Sequence, residues 1–170
     1  MVRTADSIRT AVEALASREP AFAAVVEKFG VPEPRRSDRG AQTLLRTIVG
    51  QQVSVAAARS MWAKLEAAFG SPPDLARLLA ATDEELRAAG MSRQKAGYIR
   101  SLVSLVISGE LDLDNLPEDD EEAIALLTRI KGIGRWSAEI YLLFAEGRFE
   151  LGPHRSRGGD AHLLADNGAQ

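Results

Sequence analysis

The sequence predicts an all-α protein, built as an orthogonal bundle of short helices. Three observations carry this prediction. Apolar residues recur at helical spacing in successive segments, capping and breaking residues separate these segments, and the alternation of apolar and polar residues that marks a strand does not occur. Short helices joined by short loops are typical of an orthogonal bundle.

The first half of the chain contains four predicted helices, separated by glycines and prolines. The first of them is amphipathic. A loop with two prolines and several charges spans residues 31–40, and Ser54 is placed to begin the fourth helix. The four segments are 7–16, 21–29, 41–49 and 55–69.

Capping residues mark the helices of the second half. Asp74 and Ser92 are candidate N-caps, and Thr82 with Glu85 has the spacing of a capping box. Gly90 is placed to end the helix that this box begins. The predicted helices are 74–79, 83–89, 93–108, 121–130 and 137–144.

Composition excludes several classes of site. The chain has 170 residues and is 45% hydrophobic, which suits one domain with a real core. It contains no cysteine, which excludes disulfides, thiolate metal sites and iron–sulfur clusters, and its two histidines disfavour structural zinc. It shows neither a long apolar run nor a leader. We therefore expect a cytoplasmic protein with no membrane segment, and we expect a monomer.

The charges are unevenly distributed along the chain. A net charge of −3 counts mildly against nucleic-acid binding, because DNA-binding domains are more often basic. The acidic run 118–122 suits the start of the helix that follows it. Asp119 and Asp120, within this run, are expected to form a solvated face without a functional role.

Residues 130–138, with the sequence IKGIGRWSA, form a predicted hairpin between two helices. Its two glycines permit positive φ and close approach of a partner to the backbone. The N–H groups that open the next helix suit an anion such as phosphate. The alternative is a plain helix–helix turn in which glycine only relieves crowding. The predicted DNA-contacting residues of the hairpin are Lys131, Gly132, Gly134, Arg135 and Ser137.

The hairpin resembles the helix–hairpin–helix of the DNA glycosylase superfamily, and it is most similar to the 3-methyladenine DNA glycosylase II branch. Two further motifs agree in order and spacing: IVGQQVS at 48–54 and GMSRQKA at 90–96. The resemblance implies an all-α domain of two lobes that binds damaged double-stranded DNA and flips the lesion into a cleft. It also implies hydrolysis of the N-glycosidic bond of an alkylated purine.

The resemblance assigns roles to two residues, Trp136 and Gln52, and two more are candidates beside them. Trp136 matches a substrate-pocket aromatic, and it stands where bifunctional relatives carry their Schiff-base lysine, which implies a monofunctional enzyme. Core packing is the alternative for Trp136. Tyr141 is a further pocket candidate, although, like Trp62, it is more typical of a core residue. Gln52 matches the residue that wedges into the duplex, with Gln51 beside it; the alternative for both is an ordinary polar loop.

The resemblance also implies a backbone cation site. The carbonyls of Thr128, Ile130 and Ile133 match those that hold a monovalent cation beneath the hairpin in relatives when DNA is bound, and no other cofactor is expected. Arg93 and Lys95 are at the start of a predicted helix, where they can contact phosphate or simply face solvent.

The catalytic aspartate that the resemblance implies is displaced in this chain. It should follow a proline by two or three residues, but Pro153 is followed by HRS at 154–156, and the nearest carboxylate is Asp160. The composition also changes abruptly after Leu151. The sequence therefore predicts a glycosylase domain with an incomplete second lobe over residues 1–151 and a polar tail over 152–170.

The hypothesis of a reading-frame slip near Leu151 explains both the displaced aspartate and the incomplete second lobe, and the abrupt change of composition is the evidence for it. Codons permitted by residues 151–157, read one base along, can encode WARTDLA, which returns an aspartate to the expected window. Two other functions stay open: a non-catalytic helix–hairpin–helix module that binds DNA, and a helical protein-interaction domain. The latter fits the acidic net charge but leaves the three ordered motifs unexplained.

Overall fold

The computed structural model describes residues 5–33 and 37–148, and nearly all of the secondary structure in these ranges is helical. The helices are α1 (Ala5–Ala16), α2 (Pro20–Phe29), α3 (Ala41–Gly50), α4 (Val55–Phe69), α5 (Leu75–Ala80), α6 (Asp83–Ala88), α7 (Arg93–Ile107), α8 (Asp120–Leu127) and α9 (Arg135–Phe144). The all-α prediction is confirmed, and the predicted bounds agree within two residues except at the end of α8.

The predicted caps are present. Ser54 and Ser92 each accept a hydrogen bond from the backbone N–H three residues on, and Asp74 accepts one from Arg77 N–H at 2.8 Å. Thr82 and Glu85 form the full capping box. Because each cap satisfies an otherwise unpaired N–H, these side chains set where the helices begin.

Helix α7 lies at the centre of the bundle. It packs against α3, α5 and α6, while α3 also contacts α4 and α9. Ile99, Leu102 and Val103 of α7 are fully buried, and Trp62 and Tyr141 are buried as the core prediction requires. This packing places the loop after α3, the start of α7 and the turn before α9 next to one another.

The end of α8 differs from the prediction. The N–H groups of Arg129 and Ile130 bond to carbonyls three residues back, at 3.2 Å each, which tightens the last turn. Ile130 is then fully buried in the turn rather than in the helix. The helical spacing continues past Leu127 in the sequence, but the chain has already begun the hairpin.

Asp119 and Asp120, for which no functional role is expected, have a structural role. Asp119 is the N-cap of α8 and accepts hydrogen bonds from Glu121 N–H at 2.9 Å and Glu122 N–H at 3.0 Å. Asp120 pairs with Arg148 at 3.1 Å. Both carboxylates therefore hold the start of α8 in place.

Within residues 5–33 and 37–148, none of the helices has the length and hydropathy needed to cross a bilayer.

Candidate functional site

The hairpin between α8 and α9 turns sharply at Gly132, whose φ is +85°. A Cβ added there would overlap the ring of Tyr98 on α7. Gly134 has a φ of −88°, so the positive φ expected of the hairpin glycines occurs at Gly132 and not at Gly134. Gly132 is therefore required by the fold itself.

Gly134 has a different reason to be glycine. It is the N-cap of α9, and a Cβ added there meets no atom of the described residues within 4 Å. No side chain in the described part of the chain caps this helix. The first N–H groups of α9 therefore lack a side-chain cap from the described residues, and there is room beside Gly134 for an anion, which a helix N-terminus attracts.

The loop after α3 is joined to the hairpin. The side-chain amide of Gln51 donates a hydrogen bond of 2.8 Å to the carbonyl of Gly132. The next residue, Gln52, is exposed and has a φ of +55°, the single positive φ at a non-glycine residue in the described ranges. Such a conformation costs free energy in an L-residue, and it commonly marks a functional position.

Lys95 supports the same loop from α7. Its ammonium donates a hydrogen bond of 2.5 Å to the carbonyl of Val49, near the C-terminal end of α3. Burial lowers the pKa of Lys95, since desolvation disfavours its charged form. Lys95 is therefore an internal support of the loop, whereas Arg93 is exposed at the start of α7.

These contacts line a cleft of about 610 Å³, here called the hairpin cleft. Its walls combine the loop after α3, the start of α7 and the hairpin. Its lining includes Gln51, Gln52, Val53, Lys95, Tyr98 and Gly132.

The two cations of the hairpin differ in their surroundings. Lys131 is exposed, and its backbone N–H donates to Ser101 Oγ at 3.0 Å. The guanidinium of Arg135 binds both carboxylate oxygens of Glu121, at 2.9 and 2.5 Å, and Glu139 at 2.9 Å. The hydrogen bonds that Arg135 donates to Glu121 raise the pKa of Arg135. Arg135 is therefore already neutralised by carboxylates, while Lys131 presents its charge to solvent.

The two predicted pocket aromatics occupy different environments. Trp136 is 63% exposed on the first turn of α9, so the core alternative for it is wrong. Tyr141 is buried, and its hydroxyl accepts a hydrogen bond from Gly40 N–H at 2.8 Å. Burial raises the pKa of Tyr141. Its burial agrees with the core interpretation, and a pocket role for either residue stays a prediction.

The other predicted site residues are Ser137, the three carbonyls of the cation site and the C-terminal candidates. Ser137 is half-buried in the first turn of α9. Of the three carbonyls considered for a cation, that of Ile130 accepts a hydrogen bond from Ile133 N–H at 3.0 Å. Asp160, the 154–156 window and the boundary at residue 151 lie outside the described residues.

Sequence reasoning missed two residues of the site, Tyr98 and Glu121. The hydroxyl of Tyr98 accepts a hydrogen bond from the Gln94 side chain at 2.5 Å, one helical turn earlier, and its ring packs under Gly132. The i, i+4 spacing of Gln94 and Tyr98 is a local signal that could have been noticed. The approach of Glu121 to Arg135 depends on the hairpin and has no such signal.

Comparisons with known proteins agree on one family. The family described as HhH-GPD superfamily base excision DNA repair protein matches residues 45–147. DNA-3-methyladenine glycosylase 1 of Schizosaccharomyces pombe is 30% identical over 119 residues, which are 66% of this chain and 51% of that protein. This chain therefore spans about half the length of that relative.

Two solved structures are similar in fold. A DNA-3-methyladenine glycosidase from Bacillus halodurans has a TM-score of 0.67 and 33% identity, covering 81% of this chain and 64% of that one. The 3-methyladenine DNA glycosylase of Schizosaccharomyces pombe in complex with abasic DNA has a TM-score of 0.67 and 27% identity, covering 80% and 69%.

Proposed function

The chain belongs to the HhH-GPD superfamily of base excision DNA repair proteins, and from this premise we propose that it is a monofunctional DNA glycosylase. It binds damaged double-stranded DNA, turns an alkylated purine out of the helix and hydrolyses its N-glycosidic bond. The observation that carries this proposal is the hydrogen bond between Gln51 and Gly132, because it joins a wedge candidate to a phosphate-binding candidate.

The hairpin provides the contacts to the phosphate backbone of the DNA. Uncapped N–H groups at the start of α9 and the exposed Lys131 suit one phosphate, and glycine at 134 leaves room for it. Contacts of this kind position a protein on DNA without reading sequence. The similar solved structure of Schizosaccharomyces pombe, which holds abasic DNA, supports this assignment.

The loop after α3 supplies the wedge. An extruded base leaves a gap in the stack, and a side chain must fill that gap if the base is to stay out. Gln52 is exposed, and its positive φ is held between the Lys95 contact and the Gln51 contact. Because Gln51 connects this loop to the hairpin through its hydrogen bond with Gly132, phosphate binding by the hairpin fixes where Gln52 enters the duplex.

Alkylated purines suit the exposed aromatic of this surface. A purine alkylated on a ring nitrogen carries positive charge, and the face of an indole attracts cations. Trp136, exposed on the first turn of α9, is the candidate for this contact. Tryptophan has no amine to form a Schiff base, so strand cleavage through this residue is not expected.

The catalytic carboxylate is displaced in this sequence. Hydrolysis requires a carboxylate to stabilise the cationic sugar, and residues 154–156 supply none. Asp160 is the nearest candidate. This displacement favours a second function, a DNA-binding module that holds damaged sites with little or no excision.

Excision and binding should be measured together on methylated duplex DNA and on a duplex with an abasic analogue. The glycosylase proposal expects release of 3-methyladenine, with strand breaks only after alkali treatment and with loss of release in Asp160→Asn. Binding without release supports the non-catalytic module, and absence of both overturns the family function for this chain. Full release by Asp160→Asn would show that another carboxylate acts.

A monovalent cation at the carbonyls of Thr128, Ile130 and Ile133 belongs to the same proposal. Carbonyl oxygens replace the hydration shell of such ions, and the Ile130 carbonyl keeps a second lone pair besides its bond to Ile133 N–H. DNA affinity should be higher in potassium chloride than in tetramethylammonium chloride at equal ionic strength. Equal affinities would argue against the cation.

A further inference from the structure

The loop 51–53 stands between two depressions of the surface. Val53 lines the hairpin cleft on one side and a second groove of about 420 Å³ on the other. The second groove, here called the arginine groove, lies between α3 and α4. The residues that matter for it are Arg46, Val53, Val55, Arg59, Trp62 and Glu66.

The arginine groove carries two cations against one carboxylate. Arg59 is exposed and makes no ion pair or hydrogen bond within the described part of the chain. The Arg46 side chain is 59% exposed, and its guanidinium lies over the Trp62 ring, 3.9 Å from the ring centroid. Glu66 is 3.9 Å from Arg46, beyond hydrogen-bonding distance. The groove is thus basic, although the whole chain is acidic.

The rim of the arginine groove is apolar and open. Val53 is 38% exposed and Val55 is 69% exposed, on either side of the cap residue Ser54. Among the described residues, Arg46 has only a long ion pair with Glu66, at 3.9 Å. Exposed valines beside two such accessible arginines suit contact with the sugars and phosphates of a nucleic acid. The groove continues the hairpin cleft, since the two share Val53.

We propose that the arginine groove binds the phosphate backbone of the complementary strand, opposite the strand that the hairpin holds. This inference rests on the proposed function. A loop that enters a duplex at Gln52 passes between the two strands, so the surfaces on its two sides face different strands. The hairpin lies on one side of loop 51–53 and Arg46 with Arg59 lies on the other.

The stacking of Arg46 on Trp62 serves this contact. A guanidinium held flat on an aromatic ring has lost much of its freedom already, while its N–H groups stay in the plane and can still donate. Binding a phosphate then costs less ordering than it would for a free side chain. Arg59, on the next helix, provides the second contact without such support.

The test compares Arg59→Gln with Lys64→Gln. Both residues lie on α4 and both substitutions remove one positive charge, but Lys64 lines a different cavity, on another face of the helix. Affinity is measured for a duplex with an abasic analogue and for a single strand of the same length, over a series of salt concentrations.

We expect Arg59→Gln to weaken duplex binding about threefold, the effect of one exposed charge contact, and to reduce the salt slope by about one. Arg59→Gln with Arg46→Gln should weaken it about tenfold. The single-strand affinity of these variants should stay at the wild-type level. The duplex affinity of Lys64→Gln should also stay at the wild-type level. Arg46→Lys in place of Arg46→Gln keeps the charge, and it should restore part of the duplex affinity that the double variant loses. Circular dichroism checks that each variant is folded.

Two results would overturn the proposal. The first is a duplex affinity of Arg59→Gln equal to that of Lys64→Gln. The second is a loss of single-strand affinity in Arg59→Gln as large as its loss of duplex affinity, which would place Arg59 on the strand that the hairpin holds. In both cases the wild type still binds duplex, so the proposed function stands. A wild type that binds no duplex overturns both.

Discussion

Gln51 and Gly132 are 81 residues apart in the chain, yet the side chain of the first donates a hydrogen bond of 2.8 Å to the carbonyl of the second. This contact connects the end of α3 to the turn between α8 and α9. Neither motif needs the other to form locally. Their connection is what turns a wedge candidate and a phosphate-binding candidate into one surface.

We predict that Gln51→Ala separates stability from DNA binding. One exposed hydrogen bond contributes about 1 kcal/mol to the free energy of unfolding, so the variant should stay folded. Its affinity for duplex DNA should fall, because the loop with Gln52 is no longer held against the hairpin. Urea unfolding and fluorescence anisotropy measure the two quantities.

Gln42→Ala is the matched control for Gln51→Ala. Gln42 makes the same type of bond, from its amide to the carbonyl of Pro73 at 2.8 Å, away from both clefts. It should lose stability to a similar degree and keep wild-type affinity. If both variants bind DNA equally well, the contact between Gln51 and Gly132 has no part in binding.

Gly132→Ala should destabilise the fold strongly. The substitution puts a side chain at a φ of +85° and drives its Cβ into the Tyr98 ring. Backbone strain and overpacking each cost about 1–3 kcal/mol. Gly134→Ala is the control, because its φ is −88° and its Cβ meets only open space. Its cost is that of alanine at an N-cap, so we expect a loss of about 1 kcal/mol or less. Equal unfolding midpoints for the two would contradict this account of the hairpin.

Gly134→Asp should lower DNA affinity while leaving the fold intact. Gly134 is the N-cap of α9, where aspartate and asparagine are both preferred residues, so stability should hold or rise by a few tenths of a kcal/mol. The aspartate places a negative charge where a phosphate is expected. Gly134→Asn adds nearly the same bulk without the charge. We expect the aspartate variant to bind about tenfold more weakly than the asparagine variant, and equal affinities would argue against a phosphate at this turn.

Glu121→Gln should strengthen DNA binding. Glu121 holds the Arg135 guanidinium through two hydrogen bonds. The substitution removes this carboxylate charge and leaves only Glu139 beside Arg135 within the described residues, so the cation can attract a phosphate more strongly. Both side chains are more than half exposed, so the ion pair contributes less than about 1 kcal/mol to stability. Glu122→Gln removes the same charge from the same helical turn. DNA affinity should rise about threefold for Glu121→Gln only. A rise in affinity of the same size in both variants would reflect net charge alone.

The acid stability of the chain should depend in part on Glu85. Hydrogen bonds from the backbone N–H and the hydroxyl of Thr82 hold the pKa of Glu85 below its usual value of 4.5. A carboxyl with a lowered folded-state pKa stabilises the fold above its unfolded pKa. That stability is lost as the pH falls through the folded value.

Glu85→Gln keeps a hydrogen-bonding side chain in the capping box but does not titrate. Its free energy of unfolding should therefore fall less than that of wild type between about pH 7 and about pH 3. Glu84→Gln, at the exposed neighbour, should follow wild type. Urea titrations at several pH values would refute the prediction if the two variants lose stability in parallel.

The helices and their starts were predictable because the signals are local. Ser54, Thr82 and Ser92 each cap a helix through a backbone N–H three residues away. Such contacts depend on the next turn of the chain and on nothing else. The end of α8 was not predictable in this way, since the helical pattern continues into a segment that the hairpin bends.

The surroundings of the site residues were not predictable from spacing. Arg135 follows Gly134 directly, at the position expected for a phosphate contact. The hairpin, however, brings the start of α9 next to the start of α8, where Arg135 forms an ion pair with Glu121. Lys95, expected either to contact phosphate or to face solvent at a helix start, reaches the carbonyl of Val49, 46 residues earlier. A charged side chain takes the nearest partner in space, and its place in the sequence does not reveal that partner.

The sequence by itself determined the all-α class, the positions of the helices and the three motifs, because periodicity and capping act over a few residues. The tertiary structure alone decided which motifs meet. Packing of α3 and α9 against one another, with α7 against α3, brings Gln51 to Gly132, puts Tyr98 beneath the turn and leaves loop 51–53 between two grooves. These relationships depend on burying apolar faces from distant parts of the chain, and that burial is a property of the whole bundle.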